Sequence, residues 1–481
     1  MNYKMMGRFI SQILLVEAAF MLPALAIGLF CREWMAVVGF LAAVACSTLV
    51  ALILRRICRG APSAFYAKEG LVCVGFSWII LSLFGCLPFW ISREIPAFID
   101  AFFEIVSGFT TTGSSVVANV EGLSKSIIYW RSFSNWLGGM GVLVFLLAFT
   151  GGQGQGFTMH LLRAESPGPN VGKLVPKMRS TATILYILYL ALTVINFLFL
   201  LFGRMPVFEA VCTAMSTAGT GGFGIKNDSF ASFSPYIQNV TTVFMILFAV
   251  NFSCYYLLLM RQFKAVFTDE ELRLYIVIIV GAITLIAINI SPLYGTVEEA
   301  VRHAAFQVGT LISSTGFAST DFDQWPALSK AILLCIMLVG ACAGSTGGGF
   351  KVARLLLVLK GLARNIRQTL NPKKVQVVRN NGATVSEKVL DNTNAYLAAY
   401  VVILLISFLL LSIDGFSIET SFSAAISSLN NMGPAFGALG PTCNFSQCSV
   451  LSKLVLCMDM LLGRLEIFPI LILFSRSTWK R

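Results

Sequence analysis

Thr111-Thr112-Gly113-Ser114-Ser115 is a short polar turn with one glycine at its middle, set between two apolar runs of membrane length. The same arrangement returns three times, as Gly219-Thr220-Gly221-Gly222-Phe223, Ser314-Thr315-Gly316-Phe317-Ala318 and Asn431-Met432-Gly433-Pro434-Ala435. With Gly113, Gly221, Gly316 and Gly433 taken as centres, the spacings are 108, 95 and 117 residues. One such turn between apolar segments is ordinarily a helix cap or a packing contact. Four, each in the same slot of a recurring unit, predict a pseudo-four-fold pore in which one chain supplies every quadrant.

The surrounding composition agrees. The chain is 57% hydrophobic and only 12% charged, with mean hydropathy +0.80, whereas soluble domains carry about a quarter charged residues. A helix rises 1.5 Å per residue, so runs of about 20 apolar residues cross ~30 Å of hydrocarbon. Ten runs fit: Gly7–Phe30, Trp34–Leu54, Leu71–Ile91, Ser132–Thr150, Thr181–Gly203, Ile237–Met260, Leu272–Ile290, Leu328–Leu359 (interrupted), Asn394–Ile413 and Val450–Phe474. The fold class expected is an all-α polytopic membrane protein. A cleaved leader does not suit the N-terminus, where one spanning run is followed at once by another.

The net charge of +12, from 35 Lys/Arg and 23 Asp/Glu, is topological. With the N-terminus inside, most Lys and Arg fall on cytoplasmic segments and the opposite face holds more acid than base. That bias places both termini in the cytoplasm. The twelve cysteines are scattered, and His160 and His303 are the only histidines, so no metal-ligand cluster is expected. Cys443 and Cys448 share one external loop, where a disulfide or two thiols would each fit.

Residues 1–68 read as a helical hairpin ending in the basic Arg55-Arg56-Ile57-Cys58-Arg59, and four units follow at 69–179, 180–270, 271–385 and 386–481. Each unit holds a span, a segment too short to cross, the glycine turn and a second span. The short segments are Ala97–Thr110, Val207–Ala218, Val297–Ser313 and Ile418–Asn430. As a helix Ala97–Thr110 reaches only ~21 Å, and its polar end would leave backbone unpaired in lipid, at several kcal/mol per group. It must re-enter and turn back inside protein. A re-entrant helix aims its partly negative C-terminus at the membrane centre, where it favours a cation. Glycine then lets successive carbonyls point at one axis and replace an ion's water shell. The expected ion-binding residues are Thr111, Thr112, Gly113, Gly219, Thr220, Gly221, Ser314, Thr315, Gly316, Asn431, Met432 and Gly433. Glu104, Glu209, Glu298, Glu299 and Glu419 fall near the starts of the short helices and complement the positive dipole end.

The eighth run breaks at Gly340-Ala341-Cys342-Ala343-Gly344-Ser345-Thr346-Gly347-Gly348-Gly349. So many glycines, at ~1 kcal/mol each relative to alanine, predict an unwound loop, tolerated at membrane depth only in protein or beside water. It stands where it would obstruct the pore; a small-residue helix contact is the plainer alternative. A phosphate loop is not matched, since Phe350 separates Gly349 from Lys351. In Gly463-Arg464-Leu465-Glu466 two charges sit inside the last run, where charge faces a bundle interior or water. Arg464 reads either as an electrostatic barrier beneath the turns or as half of a pair with Glu466 or Asp459, and both can hold.

These motifs, in this order, resemble the Trk/Ktr/HKT superfamily of potassium transporters, and most closely its bacterial TrkH/TrkG branch. They are Ser107-Gly108-Phe109-Thr110-Thr111-Thr112-Gly113, Ser216-Thr217 with Gly221-Gly222-Phe223, Thr315-Gly316-Phe317-Ala318, Leu429-Asn430-Asn431-Met432-Gly433-Pro434, Ala343-Gly344-Ser345-Thr346-Gly347-Gly348-Gly349, Ala164-Glu165-Ser166-Pro167-Gly168-Pro169 and Gly463-Arg464-Leu465-Glu466. The N-terminal hairpin is a TrkH-branch feature. The resemblance implies potassium uptake across a bacterial cytoplasmic membrane, no organic cofactor on this chain and a homodimer with one pore per subunit. It further implies an intramembrane gate at Gly344, Ser345, Thr346, Gly347, Gly348 and Gly349 with Arg464. A cytoplasmic TrkA-type partner binding NAD(H) or adenine nucleotides would regulate it. In this superfamily a serine at a central glycine accompanies sodium permeation; glycine at all four favours potassium. Two competing classes fare worse. A broken-helix solute transporter shows two inverted halves rather than four units, and no catalytic constellation supports a membrane enzyme.

Overall fold

The computed structural model describes residues 2–60, 67–141 and 178–479. The Ala164–Pro169 motif and the Ser132–Thr150 run beyond residue 141 lie outside the described residues. Helix α1 (Tyr3–Cys31) folds back on α2 (Trp34–Ile57) through Arg32, whose φ of 62° makes the left-handed turn. Then come α3 (Ala67–Gly85), α4 (Leu87–Ile91), α5 (Phe98–Phe109) and α6 (Lys125–Gly139). They are followed by α7 (Met178–Phe202), α8 (Val207–Gly219), α9 (Pro235–Phe248), α10 (Phe252–Leu259) and α11 (Phe263–Thr268). Next are α12 (Glu270–Ile290), α13 (Val297–Ile312), α14 (Ala327–Val339) and α15 (Val352–Leu370), then the short antiparallel pair β1 (Arg379–Asn380) and β2 (Ala383–Thr384). The chain closes with α16 (Glu387–Leu411), α17 (Ile418–Leu429), α18 (Val450–Arg464), α19 (Phe468–Phe474) and α20 (Arg476–Trp479).

Among the described residues, six helical segments are long and apolar enough to cross a membrane, and the bent pair α9–α10 would make a seventh. The expected run Ile237–Met260 is not one helix. It bends by 90° because Asn251 caps a new start, its Oδ1 accepting the Ser253 N–H at 2.9 Å. The run Val450–Phe474 is also broken, at Leu465-Glu466-Ile467. Glu466 and Ile467 take φ of 62° and 63°, and Pro469 opens the next helix. Leu328–Leu359 is interrupted at the glycine loop, as its composition suggests, and resumes as the amphipathic, basic α15.

Outward faces are apolar: Leu41, Val277 and Leu409 are more than half exposed, which suits a lipid surface. The short helices α5, α8, α13 and α17 lie inside and are mostly buried. Some of their hydroxyls bond back along the helix, as Thr217 Oγ1 does to the Thr213 carbonyl (2.8 Å) and Ser423 Oγ to Glu419 (2.7 Å), whereas those of Ser107, Thr310, Ser421, Ser427 and Ser428 are buried without a partner among the described residues. Acids occupy each first turn: Asp100, Glu209, Glu298 with Glu299, and Glu419. Glu104 is not among them. It lies a turn deeper and pairs with Arg131 at 2.7 Å, both fully buried.

Candidate functional site

Each short helix ends in one and the same backbone turn. A non-glycine residue is left-handed, at Thr111 (φ 56°), Thr220 (52°), Ser314 (57°) and Asn431 (55°). Two residues on, a glycine is again at positive φ: Gly113 (83°), Gly222 (70°), Gly316 (90°) and Gly433 (95°). The hydrogen bonds repeat as well. Thr112, Gly221, Thr315 and Met432 donate their N–H to Ser107, Ser216, Thr310 and Ser427 at 2.8–2.9 Å, the pattern that closes a helix with a left-handed residue. Every amide of the turn's first half thus points back into its helix. Among the described residues, no backbone N–H donates to the carbonyls of Thr112, Gly221, Thr315 or Met432.

The register corrects one expectation. In the second turn the counterpart of Gly113 is Gly222, not Gly221, so the matching triplet is Thr220-Gly221-Gly222. Gly219 is the last residue of α8, packed so closely on α6 that a methyl there would stand 2.2 Å from the Asn135 carbonyl oxygen.

The four turns meet in a closed cycle. A methyl on Gly113 would lie 2.4 Å from the carbonyl oxygen of Gly221, and one on Gly222 would lie 2.0 Å from that of Thr315. A methyl on Gly316 would come within 2.2 Å of the Met432 oxygen, and one on Gly433 within 2.7 Å of Thr112. The fourth step returns to the first turn. Positive φ and backbone contact together exclude any side chain at these four positions. Asn431 Nδ2 to Thr112 Oγ1 and Ser114 Oγ to the Gly433 carbonyl, each 3.0 Å, tie the seam between the last turn and the first.

On one side the ring opens into a vestibule walled by Gly113, Gly222, Gly316 and Gly433 together with Ser115, Arg131, Phe223 and Lys226. Arg131 stacks over Phe223 at 4.3 Å while bound to Glu104. On the other side lies the loop 340–351. Gly347 and Gly348 pass so near the Ser313 and Asn430 carbonyl oxygens that a methyl would stand 2.6 and 2.4 Å away. The loop is tied to the break between α9 and α10: Cys342 N–H donates to Ala249 (3.0 Å) and Thr346 Oγ1 to Phe248 (3.1 Å). Gly344 rests against Asn251, Ser345 Oγ bonds the Cys342 carbonyl at 2.6 Å, and Gly349 turns at φ 90°. Glu271 accepts the Ala343 N–H at 2.6 Å, and buried Lys351 donates to the Gly347 carbonyl.

Arg464 reaches from the end of α18 into the same space. It donates to the Gly138 carbonyl, to Gly139 (2.6 Å), to Thr346 (2.9 Å) and to Thr111 Oγ1 (3.2 Å). Its reach therefore bridges the end of α6, the loop and the first turn. Glu466 binds Arg354 of α15, and Asp459 accepts from Ser407 at 2.7 Å. Sequence reasoning missed Arg354, Glu271 and Arg131, whose partners Glu466, Ala343 and Glu104 lie 112, 72 and 27 positions away, and Lys351, which bonds the nearby Gly347 carbonyl. Cys443 and Cys448 are both free thiols.

The family model described as "Cation transport protein", TrkH, matches residues 39–480. The chain belongs to this family. It is 33% identical over 420 residues to the Trk system potassium uptake protein TrkH of Salmonella typhimurium, covering 86% of each chain. With its namesake from Halomonas elongata it shares 31% identity over 489 residues, covering 100% of both. The crystal structure of the potassium transporter TrkH from Vibrio parahaemolyticus superposes with a TM-score of 0.89 at 30% identity, over 100% of each chain. These relatives are transporters, and the apolar helices make this chain a multi-pass membrane protein.

Proposed function

We propose that this protein takes up potassium across the bacterial cytoplasmic membrane through the ring of turns, which acts as a four-part carbonyl filter. The observation that carries the reading is the closed cycle of glycine-to-carbonyl contacts from Gly113 round to Thr112. The names of the relatives supply the ion. In this reading a dehydrated potassium ion exchanges its water for the carbonyl oxygens of Thr112, Gly221, Thr315 and Met432 and of neighbouring turn residues. The C-terminal ends of α5, α8, α13 and α17 add favourable dipole field.

The loop 340–351 and Arg464 form the gate. A guanidinium beneath a cation filter raises the barrier by repulsion in a low-dielectric path. Opening therefore requires Arg464 and Thr346 to part from the carbonyls that hold them. A homodimer with both termini in the cytoplasm, and a TrkA-type nucleotide-binding subunit acting through the basic inner face, complete the proposal. The test is growth of a potassium-uptake-deficient bacterium on limiting potassium. The wild-type chain with its partner rescues growth and Gly113→Ser does not. A wild-type chain that inserts but fails to rescue, or a Gly113→Ser chain that rescues as well, rejects it.

A further inference from the structure

The four inner long helices each flank the next short helix, giving four seams: α6 with α8, α9 with α13, α14 with α17, and α18 with α5. Each seam is bridged near its outer end. Lys125 sits over Phe208 (5.9 Å), Arg302 bonds Gln238, Lys330 lies 2.7 Å from Glu419, and Lys453 lies 2.6 Å from Asp100. Beneath the bridge three seams are packed: α8 touches the α6 backbone at Gly219, α13 meets Thr242 of α9 at Gly309, and α5 lies along α18. The third seam is open. There α14 and α17 diverge around a cleft of ≈ 470 Å³, within the ~300–1,000 Å³ typical of ligand pockets.

The stripes that would otherwise interlock, Lys330, Ala331 and Leu334 on α14 and Glu419 and Phe422 on α17, line that cleft instead. Its mouth is charged and its depth is apolar. Lys330 faces two carboxylates, Asp323 Oδ1 at 2.9 Å and Glu419 Oε1 at 2.7 Å. Two carboxylates against one ammonium leave a net negative charge at the mouth. Trp325, Phe422 and Phe436 complete the lining, and the Phe436 ring already lies 5.3 Å from Lys330 Nζ, which leaves the carboxylates as the groups that attract a further cation. Leu328 and Ile418 are exposed at the adjoining helix starts (57% and 77%).

We infer that this cleft is a binding site for a phospholipid with a primary ammonium headgroup, phosphatidylethanolamine. The ammonium donates hydrogen bonds to the half-exposed Glu419 carboxylate, which a quaternary headgroup cannot do, the phosphate lies toward Lys330, and one acyl chain runs down Ala331, Leu334 and Phe422. The occupant touches the back of the fourth turn. Ser423 Oγ accepts the Phe436 N–H at 2.9 Å and Asp323 Oδ2 the Gly437 N–H at 3.2 Å, three and four residues beyond Gly433. A lipid seated there braces that strand, so occupancy also tunes flux; this consequence alone rests on the filter reading.

The test is native mass spectrometry of the full chain in detergent, with synthetic phosphatidylethanolamine, phosphatidylcholine and phosphatidylglycerol of identical chains. The expected result is one retained phosphatidylethanolamine per chain, preferred about fivefold or more over the other two, a difference of ~1 kcal/mol. Leu334→Trp, which fills the cleft, and Glu419→Gln, which removes the charge, each abolish the preference. Equal retention of all three lipids, or a preference unchanged in both variants, overturns the inference. So does an Ala331→Cys chain that crosslinks to a second copy through that cysteine, because the occupant is then protein. Because binding is read without transport, failure here leaves the uptake reading standing, and failure to transport leaves this one.

Discussion

Around the ring, backbone meets backbone; beneath it, side chains and a loop make the contacts. At its four glycines the ring touches carbonyl oxygens directly, with no side chain at the contact and no room for an added methyl. The loop and Arg464 beneath it are held by a handful of separable bonds: Arg464 to Gly139 and Thr346, Thr346 to Phe248, and Glu466 to Arg354. Each such bond contributes ~1 kcal/mol net, somewhat more where charged. On the proposed reading a filter must hold its geometry while ions pass and a gate must exchange one geometry for another, and the contrast in bonding suits the first region to permanence and the second to replacement.

The difference is broken most severely by a methyl in the ring. Gly222→Ala places Cβ 2.0 Å from the Thr315 oxygen at φ 70°; with ~1–3 kcal/mol of backbone strain added, uptake is lost. Gly221→Ala also collides, with the buried Asn135 side chain down to its Cβ at 2.6 Å, but it carries no positive-φ strain and meets no carbonyl of the ring, and it costs less. Gly224→Ala, with 3.4 Å of clearance and no positive φ, transports like wild type. Rubidium uptake by the three variants gives that order; equal loss at 221 and 222 would contradict the register.

Arg464→Ala probes the other region and moves flux in the opposite direction. Removing the guanidinium raises rubidium flux in reconstituted vesicles lacking the partner by about tenfold, equivalent to ~1.4 kcal/mol of barrier. Unchanged flux from a folded variant rejects the barrier role. Glu466→Gln loosens the hold of α15 on the same break and gives a smaller rise, about threefold or ~0.7 kcal/mol; a fall in flux would show that the pair supports opening instead. Thr346→Val loses one hydroxyl bond to Phe248, worth ~1 kcal/mol, part of which the closed state alone feels. Its effect is the smallest, and its readout is open time in single-channel recording.

What could be read from the sequence follows the same division. The ring is written in residues that backbone geometry demands, so the polar Ser/Thr/Asn run and its glycine stand out against apolar neighbours. Even so, in Gly219-Thr220-Gly221-Gly222 three glycines satisfy the spacing equally, and only the left-handed Thr220 fixes which one turns. The glycine loop declares itself by its helix cost. The two hidden breaks do so less, because each replaces only one or two residues of an apolar run with polar ones, Asn251 in the first and Arg464 with Glu466 in the second. Their signals are slight: Asn251 two residues before Ser253 as a cap, and Pro469 near the start of α19. The charged pairs Arg131–Glu104 and Arg354–Glu466 join residues 27 and 112 positions apart, a proximity that only the fold creates.

The central claim is that a bare alkali ion rests where the four turns converge. Crystals of the protein grown in rubidium in place of potassium test it by anomalous scattering. The account requires a rubidium peak on the axis of the ring, within coordinating distance of the carbonyl oxygens of Thr112, Gly221, Thr315 and Met432. An axis without a peak, in crystals that bind rubidium elsewhere in the molecule, would contradict it.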